Sequence, residues 1–311
     1  MTKNNNLEWA KMMKRLKEIF SRREKKRLAP TVGLALGGGG VRGLAHAGIL
    51  SVLEKENIPL HAIAGSSMGA IIAAAYTLNP GYSKESLTGL MLELNAVVPK
   101  RLKSPGPEEP SLLNRFRQFI NLERFILTTI SGWGVFPEQL VIEALNKITL
   151  EKNLQDARIP IAAVATDLIS GEEVVFKEGP ATIALQASSA LPGFFPPVHL
   201  DGRLLVDGAI VDVVPVDVVH QMGANIVIAV DVDQEEVKPE VRNGMEAFLR
   251  SVELCSRHHK QHYLKKADLI IRPDFGQPVQ TFDVTKSQLC IEAGVQAAEQ
   301  ALPDIWKLLN S

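Results

Sequence analysis

The residues of this chain that could do chemistry gather in two glycine-rich turns and one aspartate. Gly65-Ser66-Ser67-Met68-Gly69 has the pattern G-x-S-x-G, with Ser67 at its centre. An apolar segment at 60–64 precedes it, and the helix-forming run Ala70-Ile71-Ile72-Ala73-Ala74-Ala75-Tyr76 follows. Strand, glycine-flanked turn and helix are the setting in which this pattern lifts a serine hydroxyl clear of the backbone as a nucleophile. At a helix start, free N–H groups and the helix dipole favour a developing negative charge. A serine in such a turn can equally just cap the helix, and the motif alone leaves both readings open.

The second turn, Gly38-Gly39-Gly40-Val41-Arg42-Gly43, fits G-x-G-x-x-G between an apolar strand at 31–36 and a helix at 44–56. A dinucleotide site would need an acidic residue at the end of the next strand. That strand ends in Ala64-Gly65 and runs straight into Ser67. A phosphate-binding P-loop would need Gly-Lys-Ser/Thr, whereas Gly43 is followed by Leu44-Ala45. The remaining use of successive glycines is an oxyanion hole, in which bare N–H groups approach a carbonyl unobstructed. Strand, helix, strand forms a βαβ unit, so both loops leave the same edge of a parallel sheet and can reach one carbonyl.

A serine nucleophile needs a proton acceptor. His46, His61, His199, His220, His258, His259 and His262 sit in no recognisable motif; His258, His259 and His262 fall within a long predicted helix, and His46 reads as a packing residue. Asp207 is the better candidate. It follows an apolar strand, precedes Gly208-Ala209, and leads through Pro215 into a helix. An aspartate there can also serve its own turn.

The elements that must position these residues read as one α/β domain over 31–311. Strands are expected at 159–166, 172–176, 198–200, 203–206, 225–230 and 269–271, and helices at 180–190, from Pro215, at 240–266 and at 286–309. Asp201-Gly202 is a hairpin turn. Residues 103–136 break the rhythm with a proline-rich loop and apolar clusters around Phe116, Phe119, Phe125, Trp133 and Phe136. They read as a lid or as a helix packed on the core.

Composition narrows the class. The chain has 311 residues, 46% hydrophobic, with a net charge of −1, so nothing global points to nucleic acid. Cys255 and Cys290 have no zinc or C-x-x-C spacing, no His/Asp/Glu/Cys cluster has metal-ligand spacing, and neither a signal peptide nor a membrane span is expected. A cytoplasmic protein without metal or other cofactor is expected. Residues 1–30 carry ten Lys/Arg against three Glu. Trp9, Met12, Met13, Leu16 and Phe20 share one face of a helix there, with Lys11, Lys14, Arg15 and Arg22 on the other side. Such a basic amphipathic helix either contacts an anionic membrane peripherally, through residues 9–27 on its inner face, or docks on the domain.

Gly38 to Gly43, Gly65 to Gly69 and Asp207-Gly208-Ala209, in this order and spacing, with the block Ala187-Ser188-Ser189-Ala190-Leu191-Pro192, Phe195 and Pro197 shortly before the aspartate, resemble the patatin-like phospholipases. The resemblance spans about residues 31–232. It implies an α/β fold of three layers, α/β/α, with a mainly parallel central sheet. It also implies a calcium-independent lipid acyl hydrolase working through a Ser–Asp dyad, with a lipid or acyl ester as substrate. Carried over, Ser67 attacks the ester carbonyl and Asp207 accepts its proton. The N–H groups of Gly38, Gly39 and Gly40, with that of Met68, hold the oxyanion, and Arg42 and Gly43 support the loop. Gly65 and Gly69 shape the elbow. An acyltransferase using the same acyl-enzyme, or a binding protein with a vestigial site, would carry similar residues.

Overall fold

The computed structural model describes residues 30–83, 133, 136–234, 241 and 244–311. The amphipathic stretch 9–27, and all of the 103–136 insert except Trp133 and Phe136, lie outside the described residues. In chain order the elements are β1 (Val32–Leu36), a 3-10 turn (Gly40–Leu44), α1 (Ala45–Lys55), β2 (Leu60–Ser66), α2 (Met68–Leu78), α3 (Glu138–Thr149), β3 (Ile161–Asp167) and β4 (Glu173–Phe176). There follow α4 (Ala181–Ser188), β5 (Val198–Leu200), β6 (Arg203–Asp207), α5 (Val216–Gln221), β7 (Ile226–Val230), α6 (Gly244–Leu264), β8 (Leu269–Ile271) and α7 (Ser287–Leu309). These agree with the expected elements to within a few residues, except α3, for which the sequence reading has no counterpart.

The strands form one mixed sheet in the order β5-β6-β3-β2-β1-β7-β8, with β4 also on β3. β3, β2, β1, β7 and β8 run parallel. β4 and β6 pair antiparallel to β3, and β5 antiparallel to β6. Successive side chains of a strand point to opposite faces, and here both faces are covered. Leu34, Leu36, Ile63, Ile228 and Val230 join the core built with α1, α2 and α7. Ala35, Ala64, Ala162, Val227 and Ala229 join the core built with α5 and Leu264 of α6. The sheet therefore lies between two helical layers, the arrangement that lets parallel strands read as continuous apolar runs.

One register relation places the site. β2 pairs with Ile161 to Val164 of β3 and ends where Ser66 faces Val164. β4 pairs with Ala163 to Thr166, overlapping β2, so it occupies the opposite edge of β3. β6 pairs with Ala165 to Asp167, overlapping β4, so it lies on the β2 edge, with Asp207 facing Ala165. β2 and β6 thus meet end to end along one edge of β3, their last residues on consecutive rungs. Asp207 is the last residue of its strand, where the sequence placed it just beyond.

α7 lies across α1, directly behind the glycine loop. The helices approach at glycines: a Cβ on Gly48 would stand 2.1 Å from the Ile291 carbonyl oxygen, and one on Gly294 would stand 2.0 Å from that of Ala45. Contacts this close to backbone cannot be relieved by a rotamer change. Gly48→Ala and Gly294→Ala are each expected to cost about 1–3 kcal/mol, the usual range for overpacking, seen as a lowered Tm. Unchanged melting of both variants would show that the two helices part freely.

Candidate active site

Ser67 directly follows β2 and starts α2 with φ 53° and ψ −122°. A non-glycine residue held at such a φ costs on the order of 1–3 kcal/mol and persists only where its surroundings over-determine it. They do so here. The Ser67 N–H donates to Ser188 Oγ at 3.0 Å, and the neighbouring Ser66 hydroxyl donates to the Asp212 carbonyl at 2.6 Å. The Ser67 carbonyl accepts from Ala70 and Ile71. Gly69 lets α2 begin against the end of β1, since a Cβ there would stand 2.1 Å from the Leu36 oxygen.

Ser67 sits at the N-cap position but makes no side-chain cap bond. Its hydroxyl instead donates to Asp207 Oδ2 at 2.7 Å, the length of a charge-assisted bond. Asp207 Oδ1 accepts from the Ala209 N–H at 2.9 Å. The two readings of this aspartate therefore hold together: one oxygen serves its turn and the other serves the serine. Gly208 is required because a Cβ would stand 2.1 Å from the Val164 oxygen of β3. Asp207 is 3% exposed, and burial pushes its carboxyl from 3.8 up to about 6, against the lowering bonds from Ser67 and Ala209.

The glycine loop faces this pair. Gly37 N–H donates to the Val230 carbonyl, Gly38 N–H to Val213 and Val41 N–H to Thr281, at 3.0, 3.0 and 2.9 Å. The Gly38 amide, expected to be free for an oxyanion, is thus engaged within the fold. The amides of Gly39, Gly40 and Met68 have no acceptor among the described residues. Arg42 Nε donates to the Gly39 carbonyl at 3.3 Å. Gly43 lies tight against Met68, whose Cβ would be 2.7 Å from an added methyl.

His46 is more than a packing residue. It is fully buried, with Nε2 2.8 Å from the Gly37 carbonyl. Burial lowers its pKa to about 4, so the ring is neutral and Nε2–H donates to that oxygen, fixing the entry to the loop. His61 Nδ1 accepts from the Val32 N–H, His199 lies edge-on to Trp133, and His220 lies against the carbonyls of Ala224 and Lys266. None of the seven histidines bonds Ser67. Ser188 has a part the sequence reading did not assign: within the Ala187–Pro192 block it alone reaches the elbow amide. A hydroxyl followed by a run of small residues was the available signal.

An apolar cavity of about 170 Å³ opens beside Gly40 and Met68. Ile71 of α2, Val141, Ala144, Leu145 and Ile148 of α3, and Phe136, Phe195 and Phe282 line it. The aromatic rings brace one another, Phe136 on Phe195 at 4.8 Å and Phe194 on Phe282 at 4.7 Å. Phe136, expected in the insert, is therefore a wall of this cavity. Among the described residues no His/Cys/Asp/Glu group is arranged to hold a metal ion, and no helix is long and apolar enough to cross a membrane.

Similarity to known proteins follows the same residues. The chain is 33% identical over 211 residues to an uncharacterized NTE family protein of Mycobacterium tuberculosis, covering 68% of this chain and 51% of that one. It is 28% identical over 239 residues to human patatin-like phospholipase domain-containing protein 6, covering 73% of this chain and 16% of that protein. The chain spans about half, or less, of the length of these curated relatives. Among solved structures it is similar to VipD from Legionella pneumophila, with a TM-score of 0.46 at 14% identity over 88% of this chain and 67% of that one. The patatin-like phospholipase family model matches residues 34–220, more than half of the chain and all of the glycine loop, elbow and aspartate. The chain belongs to the patatin-like phospholipase family.

Proposed function

We propose that this chain hydrolyses acyl esters of lipids, phospholipids among them, through a Ser67–Asp207 dyad and an acyl-enzyme. The observation that carries the reading is the 2.7 Å bond from the strained Ser67 to buried Asp207, beside an apolar cavity lined by the next residue, Met68. In this mechanism Ser67 Oγ attacks the ester carbonyl as its proton passes to Asp207 Oδ2. The N–H groups of Gly39, Gly40 and Met68 hold the resulting oxyanion, and the acyl chain lies in the cavity. The intermediate collapses, and the leaving alcohol takes the proton from Asp207. Water then attacks the acyl-serine carbonyl, giving its proton to Asp207, and Ser67 recovers a proton as the fatty acid leaves. Backbone amides supply the electrophile, so the reading is calcium-independent. The basic, amphipathic stretch 9–27 supports peripheral delivery to an anionic membrane from the cytoplasmic side.

Ser67→Ala is expected to abolish both ester hydrolysis and labelling by a fluorophosphonate while the fold is kept. Asp207→Asn should lose nearly as much, because the two act as a unit; His199→Gln and His220→Gln should keep most activity. A folded Ser67→Ala enzyme turning over at the wild-type rate would end the assignment.

The base works as a carboxylate. With its pKa raised to about 6, protonation on acidification removes the acceptor. The kcat/KM for a neutral short ester should therefore fall as pH drops through about 6, tenfold per unit well below it. A flat profile down to pH ~4, near the model-peptide aspartate value, would contradict the buried base.

If the acyl chain occupies the cavity, added bulk there should shorten the preferred chain. Ala144→Leu is expected to move the optimum of a p-nitrophenyl ester series toward shorter acyl groups while acetate hydrolysis persists. An unchanged optimum would place the chain elsewhere.

A further inference from the structure

Lys260, on α6, is 4% exposed. Its Nζ donates to Asp231 Oδ1 at 2.9 Å and to Asp233 Oδ2 at 3.0 Å. A buried ammonium is held only where it is paired and hydrogen-bonded, and here two carboxylates share it. Both follow β7 and flank Val232, on which the glycine loop rests: a Cβ on Gly39 would stand 2.6 Å from Val232 Cγ2. Arg272 Nε bonds the other oxygen of Asp231 at 3.2 Å. From Asp233 the contacts continue into the loop. Arg42 Nη2 lies 3.6 Å from Asp233 Oδ1, and Arg42 Nε donates to the Gly39 carbonyl. An unbroken series of charged groups thus runs from α6 to one carbonyl of the loop.

That carbonyl belongs to the peptide joining Gly39 to Gly40. A trans peptide is planar, so its C=O and N–H point in opposite directions. Holding the Gly39 oxygen therefore aims the Gly40 N–H. Gly40 adopts φ +57°, and its amide has no acceptor among the described residues; as N-cap of the 3-10 turn, Gly39 also offers the same carbonyl to the backbone of that turn, so the Arg42 side chain and the turn hold one oxygen together.

We propose that Lys260 is a positioning residue for the ester hydrolysis: acting through Asp233 and Arg42, it sets the Gly39–Gly40 peptide plane so that the Gly40 N–H meets the oxyanion. The proposal rests on the reading of Gly40 as an oxyanion donor. Lys260 touches neither substrate nor nucleophile.

The full chain is tested with a soluble short-chain ester. Asp233→Asn and Lys260→Met are expected to lower kcat about tenfold with KM and the acid limb of the pH profile unchanged. Deleting an oxyanion donor outright costs 10²–10³-fold in a comparable enzyme, and a tilted one costs less. Lys260→Arg should restore most of kcat. Lys260→Met should add nothing in an Arg42→Met background, as one pathway requires. Selective ¹⁵N-glycine labelling gives a reading independent of turnover. The Gly39 and Gly40 amide resonances should move in Asp233→Asn, while those of Gly48 and Gly294 stay. Should Lys260→Met fail to fold, the milder Asp233→Asn decides. Additive losses, or wild-type kcat with unmoved Gly39 and Gly40 resonances in a folded Asp233→Asn enzyme, would overturn the proposal. If the wild-type chain hydrolyses no ester, the functional reading fails, and the glycine resonances still decide whether Lys260 and Asp233 set the loop.

Discussion

The site depends on two strands ending against each other. β2 and β6 share one edge of β3, and the backbone spacing there admits no side chain at Gly208. With Ser66 and Asp207 on consecutive rungs of β3, the serine hydroxyl and the carboxylate are brought together by sheet hydrogen bonding before any side-chain preference matters. The Thr166 hydroxyl, donating to the Asp207 carbonyl at 2.9 Å, and the Ala190 carbonyl, accepting the Asp207 N–H at 3.0 Å, hold the end of β6 from two sides. A short bond between a half-buried turn and a buried acid is then maintained by a rigid frame.

The rest of the structure brings backbone N–H groups to face that pair. The glycine loop is held from three directions: by His46 and α1 beneath its entry, by Val213 and Val230 at its first two amides, and by Arg42 at Gly39. The open amides are those between the ties. The apolar cavity begins beside two of them, those of Gly40 and Met68.

Much of this was legible in the sequence because it is written in steric terms. Glycines at 65, 69 and 208 are needed where backbone meets backbone, and their spacing around Ser67 and Asp207 marked the site. Alternation and apolar runs marked the strands of the sheet. Three features were not legible. The engagement of the Gly38 amide depends on Val213, which lies 175 positions along the chain, and no local pattern reports it. The support from Ser188 and His46 depends on which helix faces which loop. The antiparallel arrival of β6 at the end of β2 is a register relation between strands far apart in sequence, set by the turns and by the side of β3 that β4 occupies.

The separation of Ser67 from Asp207, 140 positions along the chain, also has a meaning in time. A ribosome adds about 5–20 residues per second, so the serine is made on the order of ten seconds before its acceptor. The edge of β3 that joins them is made in between, and β6 closes the joint last. Through that interval the nascent chain carries the elbow sequence but lacks the carboxylate that its serine hydroxyl bonds in the fold. Delay of this kind comes from strand order alone.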